Sequence, residues 1–329
     1  MTTLLLVGAG AVGVRAARQL VDTPGIEQVL VTARRSERAA ELGRAVGAEP
    51  VPFGELPTGV DAVALAIPGA SAVEFARRAV TAGVSVASAS DDAEAVDGLL
   101  ALDAEARDRG VTVAAGCALA PGLADVLARH AADALEGVDE IYVARAGVGG
   151  DSCAAALRKA RRDRPVEWRG SQAQVERRQG AELVWFPDPV GARECVTASV
   201  GVELLHEAVP SITRATVRAA DAPTTRRRGL APRRRTGEDW GAARVEVWGW
   251  RDGARDAVVY GVIEPTAVAA GMVLAVAAAR VAGALPEIRL RNSTPGSRGL
   301  GALVEPAPFL AELARRGVTA AAFEGVVVA

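Results

Sequence analysis

Apolar residues change their period part-way along the chain. The run Leu4-Leu5-Leu6-Val7 is followed by residues 11–20, where apolar positions recur at helical spacing. The same pairing then repeats, predicting strands at 28–32, 49–51, 60–67, 84–89 and 111–115. Helices are predicted at 36–46, 72–82, 93–108 and 123–135. Residues 60–67 are nearly all apolar, as befits a parallel strand covered on both faces. Strand-to-helix repetition of this kind predicts an α/β, doubly wound parallel sheet.

Beyond Gly137 the period falls to two. Residues 141–146, 174–186, 211–217, 243–250 and 257–263 alternate apolar and polar, and Arg251-Asp252-Gly253-Ala254 reads as a hairpin turn. Together with an apolar helix at 266–284 they predict an α+β second domain on a mostly antiparallel sheet. The expected division is 1–136 and 137–299, with 300–329, including an amphipathic helix at 309–316, packing back on the first domain. A sheet of this kind leaves one face free, which predicts a homodimer.

The first turn carries chemistry. Gly8, Gly10 and Gly13 stand at G-x-G-x-x-G spacing between a strand and a helix, as a dinucleotide-binding βαβ unit requires. Gly8 allows the turn, Gly10 admits the pyrophosphate to the backbone, and Gly13 lets the helix approach the strand. Phosphates are then expected on the amides of Ala9, Ala11 and Val12, at the positive helix end. The end of the second strand, where a carboxylate would bind the ribose of NAD, holds Ala33, followed by Arg34, Arg35 and Ser36. Guanidinium groups without a competing carboxylate favour a 2′-phosphate, hence NADP(H) over NAD(H). The plain alternative is that both arginines are solvated charges opening the next helix.

Ligands of open parallel sheets bind beyond the carboxyl ends of the strands. Ala66, Ile67, Pro68, Ser88, Gly116 and Cys117 are therefore expected beside the nicotinamide half, together with the tight turn Pro121-Gly122. Asp91 and Cys117 are candidate catalytic groups at strand ends, and Tyr260 is a third. Each has a simpler reading: Asp91 or its neighbour Asp92 as a helix cap, Cys117 as a turn filler, Tyr260 as packing. His130 and His206 read as structural. For a substrate carboxylate, Arg193 ranks first, because it follows F-P-D-P-V-G-A, an unusual proline-flanked turn. Arg158 and Arg162 share a helical face with Ala155, after a Ser152 that either caps the helix or marks an anion site.

Three stretches carry a family resemblance: G-A-G-A-V-G at 8–13, L-D-A-E-A-R-D-R-G-V-T-V-A-A-G at 102–116 and A-P-G-L-A-D-V-L-A at 120–128. With these the chain resembles the saccharopine dehydrogenase-like reductases over its first 135 residues or so. The likeness resumes faintly at V-W-F-P-D-P-V-G-A-R, 184–193, and P-A-P-F-L-A-E-L-A-R-R-G-V, 306–318. It implies an oxidoreductase whose P-G turn closes over the nicotinamide and which transfers hydride at a C–N bond, by imine reduction or amino-acid oxidation. The family often has an acidic residue where Ala33 stands. Reduction of a ketone, aldehyde or activated alkene on the same scaffold, and a non-catalytic NADP-binding regulator, are the other readings.

Composition narrows the partners. The 329 residues include 38 basic and 40 acidic side chains, a net charge of −2, which gives no global field for nucleic acid or an anionic membrane. Cys117, Cys153 and Cys195 are three and far apart, which predicts neither a disulfide framework nor a metal site. The N-terminus has no basic leader pattern, so a cytoplasmic protein acting on a small molecule is expected. Asp221 to Asp239, with six arginines and two prolines, reads as a solvated loop or as a lid over an acidic ligand.

Overall fold

The computed structural model describes residues 2–175, 181–221, 239–291, 293–318 and 320–323. Its first half runs β1 (Thr2–Val7), α1 (Ala11–Val21), β2 (Ile26–Thr32), α2 (Ser36–Val46), β3 (Glu49–Pro50), β4 (Ala62–Leu65), α3 (Ala70–Thr81) and β5 (Ser85–Ser88). It continues through α4 (Ala93–Leu100), α5 (Asp103–Arg109), β6 (Thr112–Ala115) and α6 (Leu123–Ala132). The single helix expected at 93–108 is thus two.

Alternate residues of β1 feed two cores. Leu4 and Leu6 face one side of the sheet with Ala62, Ala64, Ala87 and Ala114. Leu5 and Val7 face the other, with Val63, Leu65, Val86 and the helix residues Phe75 and Leu99. The sheet is buried on both sides, so its strands are apolar throughout.

The second half contains β7 (Gly137–Ala146), α7 (Asp151–Ala160), β8 (Val166–Arg169), β9 (Gln172–Gln174), β10 (Glu182–Trp185), β11 (Ala192–Thr197), α8 (Val202–Ala208) and β12 (Arg214–Ala220). The long pair β13 (Trp240–Arg251) and β14 (Ala254–Pro265) follows. Then come α9 (Thr266–Val281), β15 (Gly296–Gly299), α10 (Leu300–Leu303), α11 (Pro306–Arg315) and β16 (Ala320–Phe323). Strand β15 pairs parallel with β6, giving a first sheet in the order β15-β6-β5-β4-β1-β2-β3. The second sheet runs β10-β11-β12-β7-β13-β14-β16, with β8 and β9 beside β12, and is antiparallel except between β12 and β7. The expected β13–β14 turn is there, with Asp252 and Gly253 both at positive φ (51° and 74°), the twist that suits a two-residue hairpin.

Helix α9 packs on α1 and on β4 and β5 of the first sheet. A methyl group on Gly271 would lie 2.5 Å from Arg15 Cβ and 2.9 Å from the Ala16 nitrogen. The alanines and glycine of α9 therefore let two helix backbones nearly touch. The helix assigned from sequence to the second domain thus belongs to the first, and the chain returns there at residue 266 rather than 300. Helices α10 and α11 also pack against α6, and Arg316 reaches Gln19 and Thr23. Strand β16 instead pairs with β14 of the second sheet.

Leu183 and Trp185 on the edge strand β10, and Trp240 and Trp250 near the two ends of β13, are exposed. No helix among the described residues is long and apolar enough to cross a membrane. Residues 222–238, most of the arginine-rich stretch, lie outside the described residues, as do 176–180 of the alternating stretch 174–186.

Candidate active site

The glycine loop folds as its spacing predicts. Gly8 sits at φ 117°, and a methyl there would meet the Ala66 carbonyl oxygen at 2.5 Å. One on Gly10 would meet nothing within 4 Å. The backbone is therefore crowded where the chain turns and open where a pyrophosphate would approach. Gly10 is also the N-cap of α1, with no side chain bonded to the helix's first amides, so these are left to a ligand. The dinucleotide fits this site.

A cleft of about 350 Å³ runs past this loop between the two domains. One end is lined by Arg34, Arg35 and Arg38, the middle by Gly10, Ala11 and Val12, and the far end by Ala66, Ile67, Pro68, Ala89, Ser90 and Asp91. Gly149, Gly150, Asp151, Ser152 and Cys153 close it from the second domain. Ala33 is buried, and Ser36 is an exposed first residue of α2 outside the lining. Arg38 was missed because it lies one helical turn past Arg35; that i, i+3 relation is the signal for it.

The two aspartates separate. Asp92 is the cap: its Oδ1 accepts from the Ala95 amide at 3.0 Å and its Oδ2 from the Gly69 amide at 3.2 Å. Asp91 is left to face the cleft. Burial pushes its carboxyl above the ordinary range, and the Arg145 guanidinium, 3.3 Å away, pulls it back in part. Asp91 can therefore hold a proton that an exposed carboxylate would lose.

Several expectations are corrected by their surroundings. The Cys117 thiol is fully buried, bonds the Ala114 carbonyl at 3.3 Å and is pushed up to about 12 by burial, so it is a protonated packing group, not a nucleophile. Ser88 is equally buried and shares its hydroxyl with Ser90, 3.0 Å away; Ser90 is the one that lines the cleft. Gly116 packs toward Leu204 and Pro121, and the turn after it spends its amides on itself. Gly122 N donates to Asp125 Oδ2 at 2.8 Å and Leu123 N to the Ala118 carbonyl at 2.9 Å, so neither is offered to a ligand. The Pro121-Gly122 turn thus does not line the cofactor cleft. Its neighbour Ala120 instead gives its carbonyl to Arg145.

Tyr260 is on β14 with its hydroxyl 2.9 Å from His130 Nδ1, outside the cleft, and His206 stacks on Trp168. Arg193 is exposed on β11, bonded to the neighbouring Ala192 carbonyl, and Arg158 and Arg162 lie exposed outside the lining. Ser152 does line the cleft, but Gly150 is the N-cap of α7, so Ser152 does not cap it.

Sequence reasoning also missed Arg145, 8% exposed at the end of β7. Its signal was present. Arg145 shares parity with Ile141 and Val143, so in a half-buried strand it had to point inward.

Comparison with known proteins agrees with this geometry where the glycine loop lies. Residues 1–88 match the family described as shikimate / quinate 5-dehydrogenase. A 54-residue stretch is 52% identical to glutamyl-tRNA reductase of Methanopyrus kandleri, covering 16% of this chain and only 13% of that protein. Over the whole fold, the chain resembles a meso-DAPDH mutant of Clostridium tetani E88 crystallised with DAP. There the TM-score is 0.52 at 13% identity, covering 96% of this chain and 99% of the other. KijD10, a 3-ketoreductase from Actinomadura kijaniata crystallised with NADP, gives 0.45 at 16% identity, covering 86% and 90%.

Proposed function

We propose that this NAD(P)-dependent oxidoreductase uses NADPH and transfers hydride to or from a carbon bonded to nitrogen in a small substrate. The observation that carries the reading is one continuous cleft. It joins three arginines at the adenosine-ribose end, an open Gly10 at the pyrophosphate, and a half-buried Asp91 at the reacting end, whose carboxyl burial pushes above the ordinary range. The cofactor, when bound, supplies or accepts the hydride. The chain's own residues do the rest. Arg34, Arg35 and Arg38 pair with a 2′-phosphate, the α1 amides hold the pyrophosphate, and Gly149 to Cys153 cover the site from the second domain. Asp91 gives or takes the proton that accompanies reduction or oxidation.

The C–N assignment draws on the saccharopine dehydrogenase-like segments of the sequence and on the fold relative that was crystallised with DAP. A steady-state screen of 2-oxo acids with NADPH, run with and without ammonia or a primary amine, tests it. Amine-dependent NADPH oxidation is the expected result. Equal turnover without amine moves the assignment to ketone reduction. Absence of NADPH binding by calorimetry removes the proposal. A cytoplasmic homodimer is part of the same reading, and light scattering of the purified protein tests the assembly.

A further inference from the structure

Behind Asp91 and Cys153, which also wall the cofactor cleft, lies a smaller pocket of about 30 Å³. Its walls are mostly apolar, with Leu119, Val148, Leu157 and Ala270 among them. That is room for a carboxylate or a water or two. Arg145 reaches it from β7.

The guanidinium is held on one side only. Nη1 donates to the Ala120 carbonyl at 2.7 Å and lies 3.3 Å from Asp91 Oδ2. Nε and Nη2, both buried, have no hydrogen-bond partner among the described residues. They form the edge of the guanidinium whose two N–H bonds run parallel, the fork that grips a carboxylate with two bonds. The Thr266 hydroxyl on the same wall is likewise unpaired. Leaving such donors unpaired in the interior is costly, and a buried arginine is rarely kept so without something for it to hold.

We infer that Arg145 is the substrate anchor, and that the substrate is a small 2-substituted carboxylic acid whose carboxylate lies on Nε and Nη2 in this pocket. This rests on the oxidoreductase reading above and gives it a substrate class. With the carboxylate there, the next carbon falls at the Asp91–Cys153 boundary shared with the cofactor cleft, where proton and hydride can meet. The lining carries no second cation to hold another anion.

The test uses oxamate as probe, with its neutral isostere oxamide and with acetate, titrated into NADPH-saturated protein and followed by calorimetry. Oxamate is expected to bind, oxamide not detectably, and acetate more weakly than oxamate. Arg145→Gln is expected to lose oxamate affinity about a hundredfold, two charge-assisted bonds, while NADPH affinity is unchanged. Arg145→Lys, which keeps the charge but loses the fork, should fall between. Oxamide binding as well as oxamate, or unchanged oxamate affinity in Arg145→Gln, overturns the anchor. Equal affinity for acetate and oxamate overturns its assignment to substrate. If Arg145→Gln does not fold, the three ligands on the wild type and Arg145→Lys still decide. Should NADPH not bind, the cofactor reading fails by itself, and the same titrations on unloaded protein continue to read Arg145.

Discussion

A methyl group on Gly13 would stand 1.8 Å from the carbonyl oxygen of Gly8. Neither partner is a flexible side chain, so the clash cannot be relieved without parting α1 from the turn. Gly13→Ala is expected to cost at least the ~3 kcal/mol of severe overpacking. Gly10→Ala, where space is open, should cost about 1 kcal/mol or less as a change of N-cap, yet lower NADPH affinity by more than tenfold. Urea melts and NADPH titrations of both variants separate the two roles; similar melts would refute the distinction.

Arg34, Arg35 and Arg38 line the ribose end of the cleft, and none forms an ion pair among the described residues. Replacing any one with Ala is expected to weaken NADPH binding about tenfold and leave NADH binding nearly unchanged, since only the former carries the extra phosphate. Parallel losses for both cofactors would mean the arginines serve the shared part of the dinucleotide.

Asp91 is expected to set a pH limb. Its folded pKa lies above the ordinary value, so as a proton donor it is loaded at low pH and emptied as pH rises through that raised value. In the reductive direction kcat/KM should therefore fall with rising pH. Asp91→Asn should remove this limb and lower kcat at least a hundredfold with NADPH binding intact. An unchanged pH profile in the variant would assign the limb elsewhere.

Stability should also depend on pH through Asp125, whose carboxyl burial pushes from 3.8 to about 7. Between these values the folded protein keeps a proton that the unfolded chain releases. The stabilisation is complete below about pH 4, declines as pH rises, and is gone above about pH 7. Glu203 and Glu207 are raised by burial too and push in the same direction. Asp125→Asn keeps an acceptor for the Gly122 amide and cannot ionise. It should gain on the order of a few kcal/mol over the wild type at pH 8 and little at pH 4. Thermal melts across this range give the answer.

The glycine loop and first sheet were legible because their signals are local: apolar runs, glycine spacing, and the missing carboxylate at Ala33. The acid partner was half legible. Two adjacent aspartates at a strand end could each be a helix cap or face the substrate, and which did which depended on the Gly69 amide, contributed by a distant turn. Cys117 and Ser88 misled because a strand end states a position and not a direction. Arg193 misled because an unusual turn marks a loop, not a pocket. Helix α9 was misplaced because neighbours in sequence were read as neighbours in space, whereas its small residues were selected by α1. Arg145 needed only its parity to be followed one residue further.

The return of α9 and β15 to the first sheet makes the second domain an insertion. During synthesis from the N-terminus, the apolar face of α1 and the open edge of β6 must wait for residues 266 to 299 before they are covered. The cofactor-binding half, though first to be made, is therefore among the last parts to be finished, and a fragment ending near residue 136 would carry the glycine loop on an unsealed core.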